Sequence, residues 1–182
     1  PVKHGGVYLI TGGLGGLGLE LAGWLARTGS AKLMLTSRSP LPPKDTWDGR
    51  LSAGARDDRS VAAIRAIRAI EDAGGEVLTA AADAADLAAM RIAIEQARAR
   101  WGEIDGVIHA AGVPGAGEPS FLETVEEMRS VISPKRDGLA VLTELLGNTP
   151  LDFVVLMSSI NAIAPSPNAG PYAAANAVLD SF

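Results

Sequence analysis

Short apolar runs alternate along the chain with segments in which apolar residues recur every three or four positions. Short runs bounded by turn residues are typical of buried strands, whereas the longer periodic segments are typical of helices. Strands are predicted at residues 7–11, 32–38, 76–83, 104–112 and 152–159. Helices are predicted at residues 17–28, 60–75, 87–102 and 121–147, with a last helix that begins at Tyr172.

This alternation of strand and helix predicts an α/β fold, a Rossmann-type doubly wound parallel sheet with right-handed connections. The expected strand order is 3-2-1-4-5, with a ligand crevice at the carboxyl ends of the first and fourth strands. The strands are apolar on both faces, as strands of a parallel sheet covered by helices are. Residues 40–59, rich in proline, aspartate and glycine, are interpreted as a surface insertion. The long helix is expected to bend near Pro134.

The length of 182 residues corresponds to one domain. Because the chain stops early in its last predicted helix, we expect residues 1–182 to be a C-terminally truncated piece of a larger domain. The net charge is −5 and no dense basic stripe is present, so a nucleic-acid partner is not expected. No stretch has the length of a membrane span. The chain has no cysteine and two histidines, which favours a cytoplasmic location and argues against a metal site.

The sequence TGGLGGLG follows the first predicted strand and opens the first predicted helix. Its glycines satisfy GxGxxG, and also a looser pattern that begins with Thr-Gly. Glycines in this context allow a tight turn and let backbone N–H groups approach a pyrophosphate at the start of the helix. The loop is therefore predicted to bind a dinucleotide through Thr11, Gly12, Gly13, Leu14, Gly15, Gly16, Leu17 and Gly18.

The end of the second strand indicates which dinucleotide is bound. An acidic residue there would suit the ribose hydroxyl of NAD, but the chain has Ser37 and Arg38. A guanidinium suits a 2′-phosphate, so NADP(H) is favoured over the alternative of a solvated surface arginine. Asp83 could accept a hydrogen bond from the adenine amino group, or could merely cap its loop. The remaining predicted cofactor contacts are Ala84, Ala110, Ala111 and Gly112.

Four motifs together resemble the short-chain dehydrogenase/reductase superfamily: TGGLGGLG, IHAAGV at 108–113, SSI at 158–160 and PYAAAN at 171–176. More narrowly, they resemble the ketoreductase domain of a modular type I polyketide synthase, and the resemblance covers essentially the whole chain. It implies a β-ketoacyl group on the phosphopantetheine of an acyl carrier protein as substrate. It also implies neighbouring synthase domains as partners.

Most members of that superfamily carry Tyr-x-x-x-Lys, but here the fourth residue after Tyr172 is Asn176. In synthase ketoreductases the lysine instead lies on the preceding long helix, and Lys135 matches that position relative to Ser159. The resemblance implies that Tyr172 is the general acid and that Ser159 donates to the same carbonyl oxygen. A nearby ammonium favours a phenolate, which is the role expected of Lys135. Asn176 would hold the lysine or a water in the proton relay.

The same residues also allow purely structural interpretations. By itself Lys135 would be a solvated helix lysine, and Tyr172 an amphipathic core residue. Ser158 competes with Ser159, but strand alternation points its side chain the other way. His109 is interpreted as a packed, hydrogen-bonded residue, and Trp47 as the cover of a small hydrophobic patch.

Two functions of different classes follow. The first is an NADPH-dependent β-ketoacyl reductase, and the second is a non-catalytic nucleotide-binding scaffold domain of a synthase. A free-standing dehydrogenase or epimerase is disfavoured by the displaced lysine. Residues 114–116 replace the Leu-Asp-Asp that accompanies D-hydroxyl products in the family, and Ala164 stands where L-specific members often have tryptophan. The loss of the acidic pair favours an L-hydroxyl product.

Overall fold

The computed structural model describes residues 2–53, 58–115, 119 and 122–182. Its strands form one parallel sheet in the order β3-β2-β1-β4-β5, which confirms the predicted topology. The strands are β1 (Val7–Thr11), β2 (Lys32–Ser37), β3 (Glu76–Ala81), β4 (Gly106–His109) and β5 (Phe153–Leu156).

Helices join successive strands, as right-handed crossovers of a parallel sheet require. They are α1 (Gly16–Gly29), α2 (Trp47–Ala53), α3 (Arg59–Asp72), α4 (Leu87–Trp101), α5 (Val125–Leu146) and α6 (Gly170–Asp180). α5 continues through Pro134, and α6 begins two residues before the predicted start at Tyr172. Within the described ranges, no helix combines the length and apolar character that crossing a membrane requires.

Each face of the sheet carries its own core. On one face, Leu9 packs in a cluster that includes residues of α4 and α5. On the other face, its neighbour Ile10 packs with residues of α1 and α3. Successive residues of a strand point to opposite faces, so β1 contributes to both cores and the sheet is doubly wound.

The expectation of strands buried on both faces holds for the interior of the sheet and is wrong at its edge. Every residue of β1 and β4 is buried. In the edge strand β5, Val154 is 46% exposed and Val155 is 39% exposed. An edge strand has a neighbour on one side, so its apolar residues are less completely covered.

The described residues of the segment 40–59 include regular secondary structure. It contains a 3₁₀ turn at Lys44–Thr46 and then α2, and its last residue begins α3. Trp47 is buried against Ile64 and Ile67 of α3, which confirms that it covers a hydrophobic patch. The segment is therefore attached to the domain by an apolar contact of its own.

Candidate active site

A cleft of about 630 Å³ lies at the carboxyl ends of the strands, where a doubly wound sheet binds its ligand. Four connections meet there: the glycine loop, the turn after β2, the loop after β3 and the loop after β4. Most of the residues predicted to contact a cofactor line this cleft, namely Gly12, Leu14, Gly15, Gly16, Ser37, Arg38, Asp83, Ala84, Ala110, Ala111 and Gly112.

The other four predicted contacts, which all belong to the glycine loop, lie outside the lining of the cleft. Gly13 and Gly18 are buried beneath the loop, and a Cβ on Gly18 would lie 2.6 Å from the carbonyl oxygen of Gly12. Thr11 is fully buried, whereas Leu17 is 54% exposed. The two glycines therefore allow the loop to fold back on itself. Cofactor contact by these four residues remains a prediction.

Gly12 and Gly16 of the loop lack a side chain under different constraints. Gly12 has φ +66°, and a Cβ there would lie 2.8 Å from the backbone of both Ala110 and Ala111, so the fold itself excludes one. At Gly16 a Cβ would meet nothing within 4 Å. Gly16 lines the cleft at the start of α1, and the N-cap residue Gly15 has no side chain to occupy the free N–H groups. The open backbone at this helix start suits the pyrophosphate of a dinucleotide.

Arg38 is exposed and lines the cleft next to Ser37. One carboxylate oxygen of Asp83 accepts from the N–H of Ala85 at 3.0 Å, so this residue does cap its loop while it lines the cleft. Sequence reasoning missed Arg59 and Ser60, which line the same cleft from the start of α3. The sequence pattern places them only at the end of the insertion and at the start of a surface helix.

An N-cap signal could have identified these two residues. Asp58 stands immediately before an apolar-periodic helix, and its side chain accepts from the N–H of Ser60 at 2.8 Å. The helix start was therefore recognisable from the sequence. Its place against the glycine loop depended on how α3 packs on the sheet, which the local pattern does not contain.

Lys135 lies on α5 with only 4% of its surface exposed, which excludes the solvated lysine considered above. Its Nζ donates to the carbonyl oxygen of Met157, just after β5, at 2.5 Å. Gly112 makes room for the side chain, because a Cβ there would lie 3.0 Å from Cε of Lys135. Burial lowers the pKa of Lys135 from its ordinary value, and the charge of Asp180 opposes that shift.

Asn176 is fully buried on α6, and its Nδ2 donates to the carbonyl oxygen of Tyr172 at 2.7 Å. Its Oδ1 is buried without a hydrogen-bond partner among the described residues. A buried amide oxygen of this kind normally has a donor, and water or an ammonium could supply one. Tyr172 itself is partly buried, one turn earlier on the same helix.

The two serines after β5 have separate contacts. Ser159 Oγ accepts from the N–H of Asn161 at 3.2 Å and is partly buried. Ser158 Oγ instead donates to the carbonyl oxygen of Asn176 at 3.4 Å. Met157 contacts α5 through Lys135, and Ser158 contacts α6, so the end of β5 is where the two helices meet. The structure therefore brings together the three elements that carry the predicted residues, whose catalytic roles remain a prediction.

His109, at the end of β4, is fully buried and hydrogen-bonded, as the sequence predicted. Its Nδ1 lies 2.6 Å from Oγ1 of Thr11, and its Nε2 lies 3.4 Å from the carbonyl oxygen of Lys135. Burial lowers the pKa of His109 to about 4, so the ring is neutral near pH 7.

A doubly wound sheet with a glycine loop, a tyrosine and a buried lysine at one edge defines an oxidoreductase of the short-chain dehydrogenase/reductase class. More narrowly, residues 6–182 match a family model described as the KR domain. The chain therefore belongs to the ketoreductase family of polyketide synthases, and membership implies a nicotinamide cofactor.

Individual relatives agree with this assignment. The chain is 38% identical over 181 residues to the polyketide synthase PksL of Bacillus subtilis, in a match that covers 97% of this chain and 4% of PksL. It is 37% identical over 177 residues to the pikromycin polyketide synthase component PikAIII of Streptomyces venezuelae, covering 97% of this chain and 10% of that protein. The chain thus spans a small part of these relatives.

Solved structures support the same family. The crystal structure of an N-terminal ketoreductase from the macrolactin assembly line superimposes with a TM-score of 0.84 at 35% identity. The match covers 100% of this chain and 33% of that one. Fold and sequence therefore agree along the whole length of the chain.

Proposed function

We propose that the chain catalyses the NADPH-dependent reduction of a β-ketoacyl thioester to the β-hydroxyacyl form during polyketide biosynthesis. The substrate would be carried by the phosphopantetheine of an acyl carrier protein, with neighbouring synthase domains as the other partners and the cytoplasm as the location. The observation that carries the proposal is the buried Lys135, which reaches the end of β5 from α5 while Asn176 occupies the fourth position after Tyr172. This is the arrangement expected of a synthase ketoreductase.

The cleft residues suit NADP(H). The glycine loop offers open backbone to the pyrophosphate, Arg38 offers a guanidinium to the 2′-phosphate, and Asp83 offers an oxygen to the adenine amino group. When bound, the nicotinamide supplies a hydride to the carbonyl carbon of the substrate. The negative charge that develops on the carbonyl oxygen must then be met by donors from the chain.

Tyr172 is the proton donor in this mechanism. Its hydroxyl gives a proton to the carbonyl oxygen, so the C=O group becomes C–OH and the tyrosine is left as a phenolate. Ser159 Oγ donates a hydrogen bond to the same oxygen while charge develops on it. The ammonium of Lys135 stabilises the phenolate, since a positive charge nearby favours the anionic form.

Asn176 completes the relay that returns the proton. Its unpartnered Oδ1 accepts from the Lys135 ammonium or from a water between the two side chains. Among the described residues the ammonium uses one of its three N–H groups, on Met157, which leaves N–H groups for this purpose. Burial of both side chains excludes bulk water and strengthens the electrostatic effect of the ammonium on the phenolate.

The test uses the full-length protein, NADPH and a β-ketoacyl thioester. We expect NADPH to be consumed in proportion to the β-hydroxyacyl product, and Lys135→Met to lower turnover at least about tenfold, on the scale of a lost charge-assisted contact. Lys44→Met is the matched control, because Lys44 is exposed, pairs with Glu71 and lies outside the cleft. Binding of NADPH without product by the wild type would instead support the non-catalytic scaffold.

The stereochemistry of the product is a separate prediction. It rests on the absence, at residues 114–116, of the two acidic residues that accompany D-hydroxyl products. Pro114 and Gly115 are described and Ala116 lies outside the described residues, so this absence is read from the sequence alone. We expect the L-hydroxyl isomer, measured by chiral chromatography of the product. Predominantly D product would contradict this expectation without affecting the proposed reaction.

A further inference from the structure

A closed cycle of hydrogen bonds joins three elements beneath the active site. The ring of His109 on β4 contacts the carbonyl oxygen of Lys135 on α5 at 3.4 Å. Lys135 Nζ donates to the carbonyl oxygen of Met157 at 2.5 Å, and the N–H of Met157 donates to the carbonyl oxygen of His109 at 3.0 Å. Both the backbone and the ammonium of Lys135 are therefore held through His109, directly or by way of Met157.

The partners of the ring determine its tautomer. A carbonyl oxygen only accepts, so Nε2 must carry the proton that it shares with Lys135. Since the ring is neutral, Nδ1 is then an acceptor, and the hydroxyl of Thr11 must donate to it over 2.6 Å. The oxygen of Thr11 remains free to accept from the N–H of Ala111 at 3.4 Å. Every hydrogen bond in this series thus has one donor and one acceptor.

Packing leaves the ring little freedom. Gly138 lies one turn after Lys135, and a Cβ there would come within 2.9 Å of Cε1 and 3.3 Å of Nε2 of His109. The glycine lets α5 approach the ring closely enough for Nε2 to reach the backbone of the helix. Because His109, Thr11 and Lys135 are all buried, water does not compete for these contacts.

We propose that His109 is a positioning residue for Lys135. As the Nε2–H tautomer, it anchors the backbone of α5 at the lysine, while its Nδ1 holds the end of β1 from which the cofactor loop starts. This inference rests on the proposed function, because it takes Lys135 to act in proton transfer.

Two amide substitutions separate the two contacts of the ring. In His109→Gln the longer side chain places its amide N–H₂ near the position of Nε2, so the contact with the Lys135 carbonyl can be kept. In His109→Asn the amide oxygen lies near the position of Nδ1, so the contact with Thr11 can be kept and the one with Lys135 is lost. The pair is matched in chemistry and differs in which contact survives.

The test is to measure kcat, KM, NADPH affinity and the pH dependence of kcat in the full-length protein. His109→Asn should lower kcat about tenfold, on the scale of one buried hydrogen bond, and shift the pH profile of kcat while NADPH affinity stays unchanged. His109→Gln should retain the wild-type kcat and pH profile. Equal kcat values for the two variants, or an unchanged kcat and pH profile in His109→Asn, would overturn the positioning role.

Two further variants keep the outcome interpretable. Lys135→Met distinguishes the two proposals: if it retains full turnover, the proposed role of the lysine fails. If it loses turnover while the two His109 variants behave alike, only the positioning role fails. Should the His109 variants not fold, Gly138→Ala serves instead, because its methyl group displaces the ring without removing a polar atom. It should lower kcat, and an unchanged kcat would overturn the inference.

Discussion

The glycine loop and the proposed proton-transfer site lie at the same edge of the sheet but are built in different ways. The loop is eight consecutive residues, and the cofactor binding predicted for it depends on open backbone and on the absence of side chains. The proposed proton-transfer site draws on α5, the end of β5 and α6, and the function proposed for it depends on the functional groups of Lys135, Ser159, Tyr172 and Asn176.

This contrast shows where each site is vulnerable. An added methyl group would occupy space in the loop: at Gly12 it would meet protein backbone, and at Gly16 we expect it to meet the proposed cofactor. A removed polar atom damages the proton-transfer site, because its groups are buried or partly buried and each is hard to replace by water. Binding losses should therefore follow changes in the loop, and turnover losses should follow changes around Lys135.

The largest effect is expected from Tyr172→Phe. Removing the proton donor should lower turnover by roughly 10²-fold to 10⁴-fold while NADPH affinity stays nearly intact. Steady-state kinetics on a β-ketothioester together with cofactor titration measures both quantities. Tyr8→Phe is the matched control, since Tyr8 is buried on β1 and its hydroxyl accepts from the N–H of Lys3 at 2.8 Å. Turnover of Tyr172→Phe near that of Tyr8→Phe would remove the tyrosine from the mechanism.

The next effect concerns stability in acid. It involves His109, which contacts both Thr11 at the glycine loop and Lys135 at the proposed proton-transfer site. The pKa of His109 is lowered to about 4 in the folded chain, from an ordinary value of 6.5. Above pH 6.5 the ring is neutral in both the folded and unfolded states. As the pH falls from that value to the folded pKa, the unfolded state takes up a proton that the folded state does not. This lowers the free energy of unfolding by about 3 kcal/mol.

His109→Gln should abolish this part of the acid destabilisation. Denaturant unfolding at about pH 7 and about pH 4.5 gives the difference for wild type and variant. His4→Gln is the control, because His4 is the other of the two histidines in the chain and is exposed. If wild type and His109→Gln lose the same unfolding free energy between the two pH values, the buried neutral ring does not contribute to acid sensitivity.

Arg38→Ala tests the binding side of the contrast. Losing a charge-assisted contact to the 2′-phosphate should weaken NADPH binding by about 1–3 kcal/mol and leave NADH binding unchanged. Calorimetry with both cofactors measures the difference, and Arg65→Ala is the control, because Arg65 is an exposed arginine of α3 outside the cleft lining. Equal losses for the two cofactors would refute the assignment of Arg38 to the 2′-phosphate.

The smallest effect is expected from Gly16→Ala. The added methyl group meets no protein atom within 4 Å, so the fold should be unaffected. It projects from backbone that lines the cleft, and we expect it to weaken NADPH binding about tenfold, which is about 1.4 kcal/mol. Gly49→Ala is matched, because a Cβ at Gly49 also meets nothing within 4 Å and lies outside the cleft. Unchanged affinity in Gly16→Ala would mean that the pyrophosphate does not approach this residue.

Local sequence patterns were enough to predict the strand order and the glycine loop. Alternating apolar runs predict a parallel sheet, and glycines between a strand and a helix predict a tight turn. The tyrosine and asparagine were also recognisable, because they stand one turn apart on the same helix. Lys135 was recognisable as the candidate for the displaced lysine because its separation from Ser159 matches that in synthase ketoreductases.

The burial of side chains and their contacts depended instead on how the elements pack together. Lys135 would be a solvated lysine by its local sequence, but the packing of α5 buries it and gives Met157 as its partner. Arg59 and Ser60 reached the cleft because α3 packs beside the glycine loop. Their local pattern showed a helix start and no more. These contacts join residues far apart in the chain, so their geometry depends on the fit between whole helices and the sheet.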